Sequence, residues 1–220
     1  MDKVISAIKV QKRNPQRVSI DLDGEYAFGL SRLTAAWLKI GDVLSEERIA
    51  ALQQEDALEI AYQRALHLID HRPRSEKEIR QKLAEKDFSA GQIDQVVEKL
   101  LRAGLIQDSE FARMWVENRN EFHPRSRRLI RYELLNKGIA EEHIEEALEG
   151  STEDPELALR AALAYARRLT ACDRETFRKR LSGFLARRGF SYGTIAPVVS
   201  QLWQQQGSNE VDTNITNEEV

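Results

Sequence analysis

The stretch Ile130-Arg131-Tyr132-Glu133-Leu134-Leu135-Asn136-Lys137-Gly138-Ile139 decides the fold. Ile130 and Leu134 stand four residues apart, which places them on one face of a helix. Lys137-Gly138 then supplies a cation for the last turn and a residue that tolerates the left-handed conformation, the chemistry of a helix C-terminus. Moving 51 residues in either direction meets the same pattern again. Ile79, Ile130 and Leu181 correspond, as do Leu83, Leu134 and Leu185, then Phe88, Ile139 and Phe190, then Ile93, Ile144 and Ile195, and finally Val97, Leu148 and Val199. The turn recurs as Lys86-Asp87 and Arg188-Gly189, with Asp87 where the later copies have Gly. A fixed period of this length is the signature of a helical repeat.

Outward from this core, Ser75-x-x-Glu78 and Ser89-x-x-Gln92 have the form of capping boxes, and Asp154 before Pro155 suits an N-cap followed by the first helical position. Each unit is expected to hold three helices, the first at about 57–71, 108–122 and 155–170. The expected divisions are 56–106, 107–152 and 153–206. A single unit is not expected to bury a full apolar stripe alone, so neighbours should stack into a curved, elongated array with a long binding surface. The segment 207–220 carries four acids and no Lys or Arg, lacks helical periodicity, and is expected to be disordered.

Ahead of the repeats the pattern changes to period two. Val18, Ile20 and Leu22, then Tyr26, Phe28 and Leu30, flank Asp23-Gly24, which predicts a β-hairpin over 17–30. Val4 to Val10 is expected to add a third strand, because a lone hairpin is marginal in water. Ser31 and Ser45 are read as N-caps of two short helices separated by Gly41, which completes an N-terminal segment over 1–55. The expected fold class is mostly α, with three tandem three-helix repeats behind a small hairpin-bearing segment.

With charged residues at 31% and aromatics at 7%, the 220 residues suit amphipathic helices with solvated outer faces. The formal net charge of −3 hides an uneven distribution. Arg119 to Lys137 is net plus four, Arg160 to Arg188 is net plus seven, and Ile139 to Glu156 carries eight acids with no Lys or Arg. One cysteine, Cys172, forms no internal disulfide, no apolar run reaches membrane-spanning length, and the first residues are too polar for a signal peptide. A cytoplasmic monomer is expected, with no membrane partner.

Catalytic chemistry finds no foothold. His67 and His71 have metal-ligand spacing without a third ligand and are read as ordinary helix residues. The run Glu141, Glu142, Glu145, Glu146 and Glu149 is read as a solvated helix face. There is no phosphate-cradling Gly loop, nucleophile elbow or metal-finger pattern. Trp115 and Trp203 are read as packing residues, and Tyr26 and Phe28 likewise. No enzyme activity, metal or cofactor is expected.

The basic residues are different. Arg127 and Arg131 share a face at i and i+4, as do Arg174 and Arg178, with Arg128, Lys179 and Arg180 thickening the same second-helix positions. Like charges on one helix repel by a few tenths of a kcal/mol per pair, a cost that an acidic partner or a phosphate backbone offsets. Arg72 is read either as a contact residue or as a cap on its own helix.

The run Arg72-Pro73-Arg74-Ser75-Glu76-Lys77-Glu78-Ile79-Arg80-Gln81-Lys82-Leu83 resembles the hallmark of the RecX family of bacterial regulators of the recombinase RecA. Gly104-Leu105-Ile106-Gln107-Asp108-Ser109-Glu110-Phe111-Ala112 and Leu134-Leu135-Asn136-Lys137-Gly138-Ile139 resemble the family's junction into its second repeat and the next turn. The resemblance covers nearly the whole chain. It implies three tandem three-helix repeats, binding along the RecA filament on single-stranded DNA, and reduced ATP turnover and strand exchange. The expected contact residues, for filament or DNA, are Arg72, Arg74, Arg127, Arg128, Arg131, Arg174 and Arg178. The competing expectations are a stand-alone nucleic-acid binder acting on single-stranded or duplex DNA without RecA, and an adaptor that meets a basic partner through the acidic run of the second repeat.

Overall fold

The computed structural model describes residues 2–169 and 172–215, with side chains described as far as Gln205. It divides into two compact units, 1–106 and 107–220.

In the first unit, strands β1 (Lys3–Gln11), β2 (Asn14–Leu22), β3 (Glu25–Ser31) and β4 (Val43–Leu44) form an antiparallel sheet in the order β3-β2-β1-β4. Asp23 and Gly24 both take positive φ, 51° and 93°, as a two-residue hairpin turn of this twist requires. The predicted hairpin and third strand are therefore present. Val18, Ile20, Leu22, Phe28 and Leu30 face the core together with Ile5 and Leu44. Tyr26 does not, contrary to the strict alternation read from the sequence. A register shift between Ile20 and Asp21 sets Tyr26 opposite Asp21, and the residue is 65% exposed.

The two short helices expected around Gly41 are absent. Residues 32–37 form turns in which the Thr34 N–H donates to the Ser31 hydroxyl at 3.0 Å, and the chain then returns to the sheet, where the Gly41 N–H meets the Ile5 carbonyl at 2.9 Å. Of Ser31 and Ser45, Ser45 acts as a helix N-cap, accepting from the Arg48 N–H at 3.2 Å. It opens α1 (Glu46–His71), which runs 26 residues without interruption because no Gly or Pro falls inside it.

This helix serves two cores. Leu52 packs under the sheet, while Ala61 and Ala65 pack against α2 (Glu76–Ala84) and α3 (Ala90–Arg102). Between them lies Asp56, 5% exposed. Its carboxylate accepts from Arg17 Nη2 at 2.9 Å and from the Ser31 N–H at 2.5 Å, and Arg17 Nη2 also donates to the Gly29 carbonyl at 3.0 Å. A charged side chain is tolerated here because each of its two oxygens meets a donor. Both predicted capping boxes are formed, Ser75 with Glu78 at α2 and Ser89 with Gln92 at α3.

The second unit contains α4 (Asp108–Phe122), α5 (Arg127–Asn136) and α6 (Glu141–Leu148), then α7 (Asp154–Ala166), α8 (Arg174–Arg187) and α9 (Tyr192–Ile215). The 51-residue period is realised in the backbone: Asp87, Gly138 and Gly189 all take the left-handed conformation, with φ of 62°, 83° and 88°. At the two glycines the next N–H closes the helix, Ile139 onto Leu134 at 3.1 Å and Phe190 onto Leu185 at 3.3 Å. Each repeat buries a cluster of its own, built on Ile79, Leu83 and Leu100, on Ile130, Leu134 and Ile144, and on Phe177, Leu181 and Leu185. No repeat depends on its neighbour for an apolar core, contrary to the expectation from the sequence. The backbone of α9 is described to Ile215; the tail expected to be disordered begins at Gly207, and its residues 216–220 lie outside the described residues.

Removing the carboxylate at the α1 junction leaves Arg17 and the Ser31 N–H without their acceptor. Asp56→Ala is expected to lower unfolding free energy by roughly 3 kcal/mol in urea titrations followed by circular dichroism. A change within about 0.5 kcal/mol, the range of an ordinary surface substitution, would show that the sheet is not anchored to α1 through this carboxylate.

Candidate binding surface

The seven arginines singled out in the sequence differ in one property, whether the fold supplies a carboxylate to them. Arg72 occupies the C-cap position of α1 and ion-pairs with Glu78 of α2 at 2.9 Å while donating to the Pro73 carbonyl at 2.9 Å. Its role is local, in agreement with the cap alternative. Arg74 turns back on α1, with Nε on the Leu68 carbonyl at 3.4 Å. Arg131 pairs with Glu141 and with Glu145 at 3.5 Å. Arg127 pairs with Glu153 at 2.7 Å and also donates to the Leu148 carbonyl.

Besides half-buried Arg74, the arginines Arg128, Arg174 and Arg178 have no carboxylate partner among the described residues. These last three are exposed. Arg128 makes a 3.5 Å contact with the Gly189 carbonyl. Arg174 and Arg178 lie on α8 with exposed Lys179 and Arg180, neither of which has a carboxylate partner among the described residues either; Arg180 reaches the Cys172 sulfur at 3.8 Å. The structure therefore separates the predicted set into residues that tie the fold together and residues whose charge faces water.

Arg127, Arg128 and Arg131 do share one cleft, of about 330 Å³, with Glu145, Leu148 and Glu149. The acids of α6 form one of its walls. Glu141 and Glu145 serve Arg131 and Glu146 serves Arg113 at 3.1 Å, so much of the acidic run is spent on partners within the same repeat.

The second and third repeats meet along a hydrogen-bonded seam. Ser126, fully buried, caps α5 by accepting from the Leu129 N–H at 3.2 Å and donates its own N–H to the Arg188 carbonyl at 3.0 Å. Arg188 returns a bond from Nη1 to the Pro124 carbonyl at 2.9 Å. Asp154 is not the N-cap of its own helix, as the sequence had suggested; Glu153 holds that position and Asp154 is the first helical residue. Its carboxylate instead accepts from the Arg127 N–H at 2.8 Å, capping α5 of the preceding repeat, which the Asp-Pro spacing conceals.

Sequence reasoning missed Arg119 and Arg125, which hold Glu133, and Arg188, which binds the residue before Arg125. Arg119 Nε binds Glu133 Oε2 at 2.8 Å, Arg125 ion-pairs with the other oxygen, and Trp115 Nε1 donates to Oε2 at 2.8 Å. A signal existed: Pro73-Arg74-Ser75 and Pro124-Arg125-Ser126 repeat at the 51-residue interval. Burial holds Arg119 and Arg188 below the usual arginine range; Arg125 is lowered first by burial and then by the charges of the other two. Trp115 packs against the second core, and Trp203 tilts onto Phe177 at 5.3 Å, so both act in packing; Trp37 is 89% exposed. His67 and His71 touch edge to face at 4.4 Å, and among the described residues no group of three or more His, Cys, Asp or Glu is placed to hold a metal.

Three helix triplets following a small sheet in the chain define a helical-repeat protein, with exposed cations on α8 that have no carboxylate partner among the described residues. Four family models match along the chain: the RecX N-terminal domain matches residues 3–45, and the first, second and third three-helix domains of RecX match 61–100, 108–148 and 152–199. The chain belongs to the RecX family. A protein of Bacillus pumilus named regulatory protein RecX is 32% identical over 208 residues, which cover 92% of this chain and 78% of the relative. One of Clostridium beijerinckii with the same name is 29% identical over 94% of this chain and 98% of the relative. A crystal structure of regulatory protein RecX superposes with a TM-score of 0.65 at 31% identity, covering 87% of this chain and 96% of the other. That of RecX from Lactobacillus salivarius gives 0.55 at 26% identity, covering 67% and 97%.

Gly189 sits where the seam is tightest. A Cβ there would lie 2.5 Å from the Ser126 Oγ and 2.7 Å from the Leu129 Cβ, on a backbone at φ 88°. Gly150 has a similar φ of 69° but open space around it. Gly189→Ala is expected to cost roughly 3 kcal/mol, the left-handed strain plus overpacking, whereas Gly150→Ala costs about 1 kcal/mol. Urea denaturation of both variants tests this, and equal losses would mean that the seam yields freely at Gly189.

Proposed function

We propose that this protein is a non-catalytic regulator of homologous recombination and DNA repair that binds the RecA filament on single-stranded DNA and lowers its ATP turnover and strand exchange. Family membership gives the regulatory class, since the relatives bear the name regulatory protein. The observation that carries the rest is that, of the expected contact arginines, Arg128, Arg174 and Arg178 are both exposed and left without carboxylates among the described residues, supplemented by Lys179 and Arg180.

Cations already held by an internal acid add little to a new partner, because their exchange merely swaps one ion pair for another. Exposed cations without such a partner retain their full attraction for an acidic protein surface or a phosphate backbone. On this reading α8 supplies the main contact and Arg128 extends it across the seam to α5. Arg72, Arg74, Arg127 and Arg131 support the contact through the fold. No helix among the described residues is long and apolar enough to cross a membrane. Action in the cytoplasm as a monomer completes the proposal.

RecA-dependent ATP hydrolysis on single-stranded DNA, titrated with added protein, separates these roles. The wild type is expected to suppress hydrolysis. Arg174→Glu with Arg178→Glu is expected to need about tenfold more protein, two charge reversals at about 0.7 kcal/mol each. Equal potency of wild type and variant would remove α8 from the contact. Stand-alone nucleic-acid binding is the competing outcome: tight, salt-sensitive binding to bare DNA in a gel shift, with no effect on hydrolysis, would replace the filament reading.

A further inference from the structure

Arg119 of α4, Arg125 of the α4–α5 turn and Arg188 at the end of α8 come together beside the seam. Arg119 and Arg125 take one oxygen each of Glu133, and Arg188 binds the carbonyl of Pro124, the residue before Arg125. Glu133 is the one carboxylate ion-paired with any of the three among the described residues, so the group carries an excess of two positive charges. The side chain of Arg119 is only 15% exposed and that of Arg125 37%. Two of the three are also fixed in orientation by rings: Arg119 lies over Trp115 at 4.1 Å and Arg188 over Phe184 at 4.5 Å.

Like charges partly withdrawn from water repel more strongly than on an open surface, and Arg125, already lowered in basicity by burial, is lowered further by the charges of Arg119 and Arg188. An anion entering the site relieves that repulsion. Each guanidinium has five N–H donors, of which the contacts above use one or two, so donors remain on all three. Donor forks arriving from three different elements suit the several oxygens of a tetrahedral phosphate, whereas a planar carboxylate offers two.

We propose that Arg119, Arg125 and Arg188 form a phosphate-binding site at the seam between the second and third repeats, and that its natural ligand is a phosphodiester group of single-stranded nucleic acid. The source of the phosphate rests on the function proposed above; the chemistry of the site does not. Because residues of both repeats supply the donors, occupation of the site ties the two repeats together.

The test uses the full chain without any recombinase, so its failure leaves the filament reading untouched. Thermal unfolding is measured in inorganic phosphate and in sodium chloride of matched ionic strength, for the wild type, Arg125→Gln, Arg188→Gln and Glu133→Gln. Phosphate is expected to raise the wild-type transition above the chloride value. The rise is lost in both arginine variants and is larger in Glu133→Gln, where the competing carboxylate is gone; a merely structural role gives no such opposite sign. In parallel, oligo(dT) binding measured by fluorescence anisotropy over a range of salt is expected to lose about 0.7 from its log–log slope for each arginine removed. The same phosphate response in wild type and both arginine variants, or no response beyond chloride, overturns the site. A response that needs the arginines with an unchanged oligonucleotide slope overturns the nucleic-acid source and assigns the site to free phosphate.

Discussion

The second unit depends on one fully buried hydroxyl residue, Ser126. Its side chain ends α5 at the N-terminus, its N–H binds the turn that ends α8, and its Oγ leaves no room for a side chain at position 189. A polar group without access to water is stable only with its partners in place, so the cap of one repeat cannot form correctly unless the turn of the next is seated against it. Asp154 acts in the same direction by capping α5 from α7. Each repeat has an apolar core of its own, and what joins the second to the third is therefore directional hydrogen bonding. That is a joint of defined register rather than a greasy contact that could slide.

Ser75 stands 51 residues before Ser126, is equally buried, and forms the capping box of α2. In the third repeat the corresponding position is Phe177, and α8 begins one turn earlier on Asp173, whose carboxylate accepts from the N–H groups of Glu175 and Thr176 at 3.0 Å. The phenylalanine fills the core where a serine would cap. The added turn carries Arg174 and places it four residues before Arg178 on the same exposed flank. A terminal repeat has no following neighbour to satisfy, and this freedom is visible as a change from capping chemistry to surface charge.

Apolar spacing and turn chemistry are local properties, and both were legible in the sequence. Ile79, Ile130 and Leu181 gave the repeat, Asp23-Gly24 the hairpin, and the three left-handed turns their places. What escaped was long-range pairing of polar groups. Nothing at Arg127 announces Glu153, 26 residues away, and nothing at Asp154 tells its own helix from the one before. The run from Ser31 to Gly41 contains helix-forming residues, yet the sheet edge claims the chain after it, so tertiary context overrides propensity. At Tyr26 a single bulge defeats the alternation that holds for Phe28 and Leu30.

Repetition at the apolar positions does not extend to charge. In the first repeat Arg72, Arg80 and Arg102 are ion-paired, with Glu78, with Glu76 and Asp94, and with Glu98, while Arg64 and Arg74 have no carboxylate partner among the described residues. In the second, Arg113, Arg119, Arg125, Arg127 and Arg131 are paired while Arg128 is not. In the third, Arg160 alone among the arginines has a carboxylate partner among the described residues, at Glu156. Exposed ion pairs contribute little to stability, so this progression has small consequences for folding. Its consequence for the outer surface is large, because a cation without an internal partner keeps its field and a paired one cancels it within a few ångströms. One scaffold built three times thus carries its unspent positive charge chiefly on the last copy, and counting arginines along the chain, without their partners, cannot locate it.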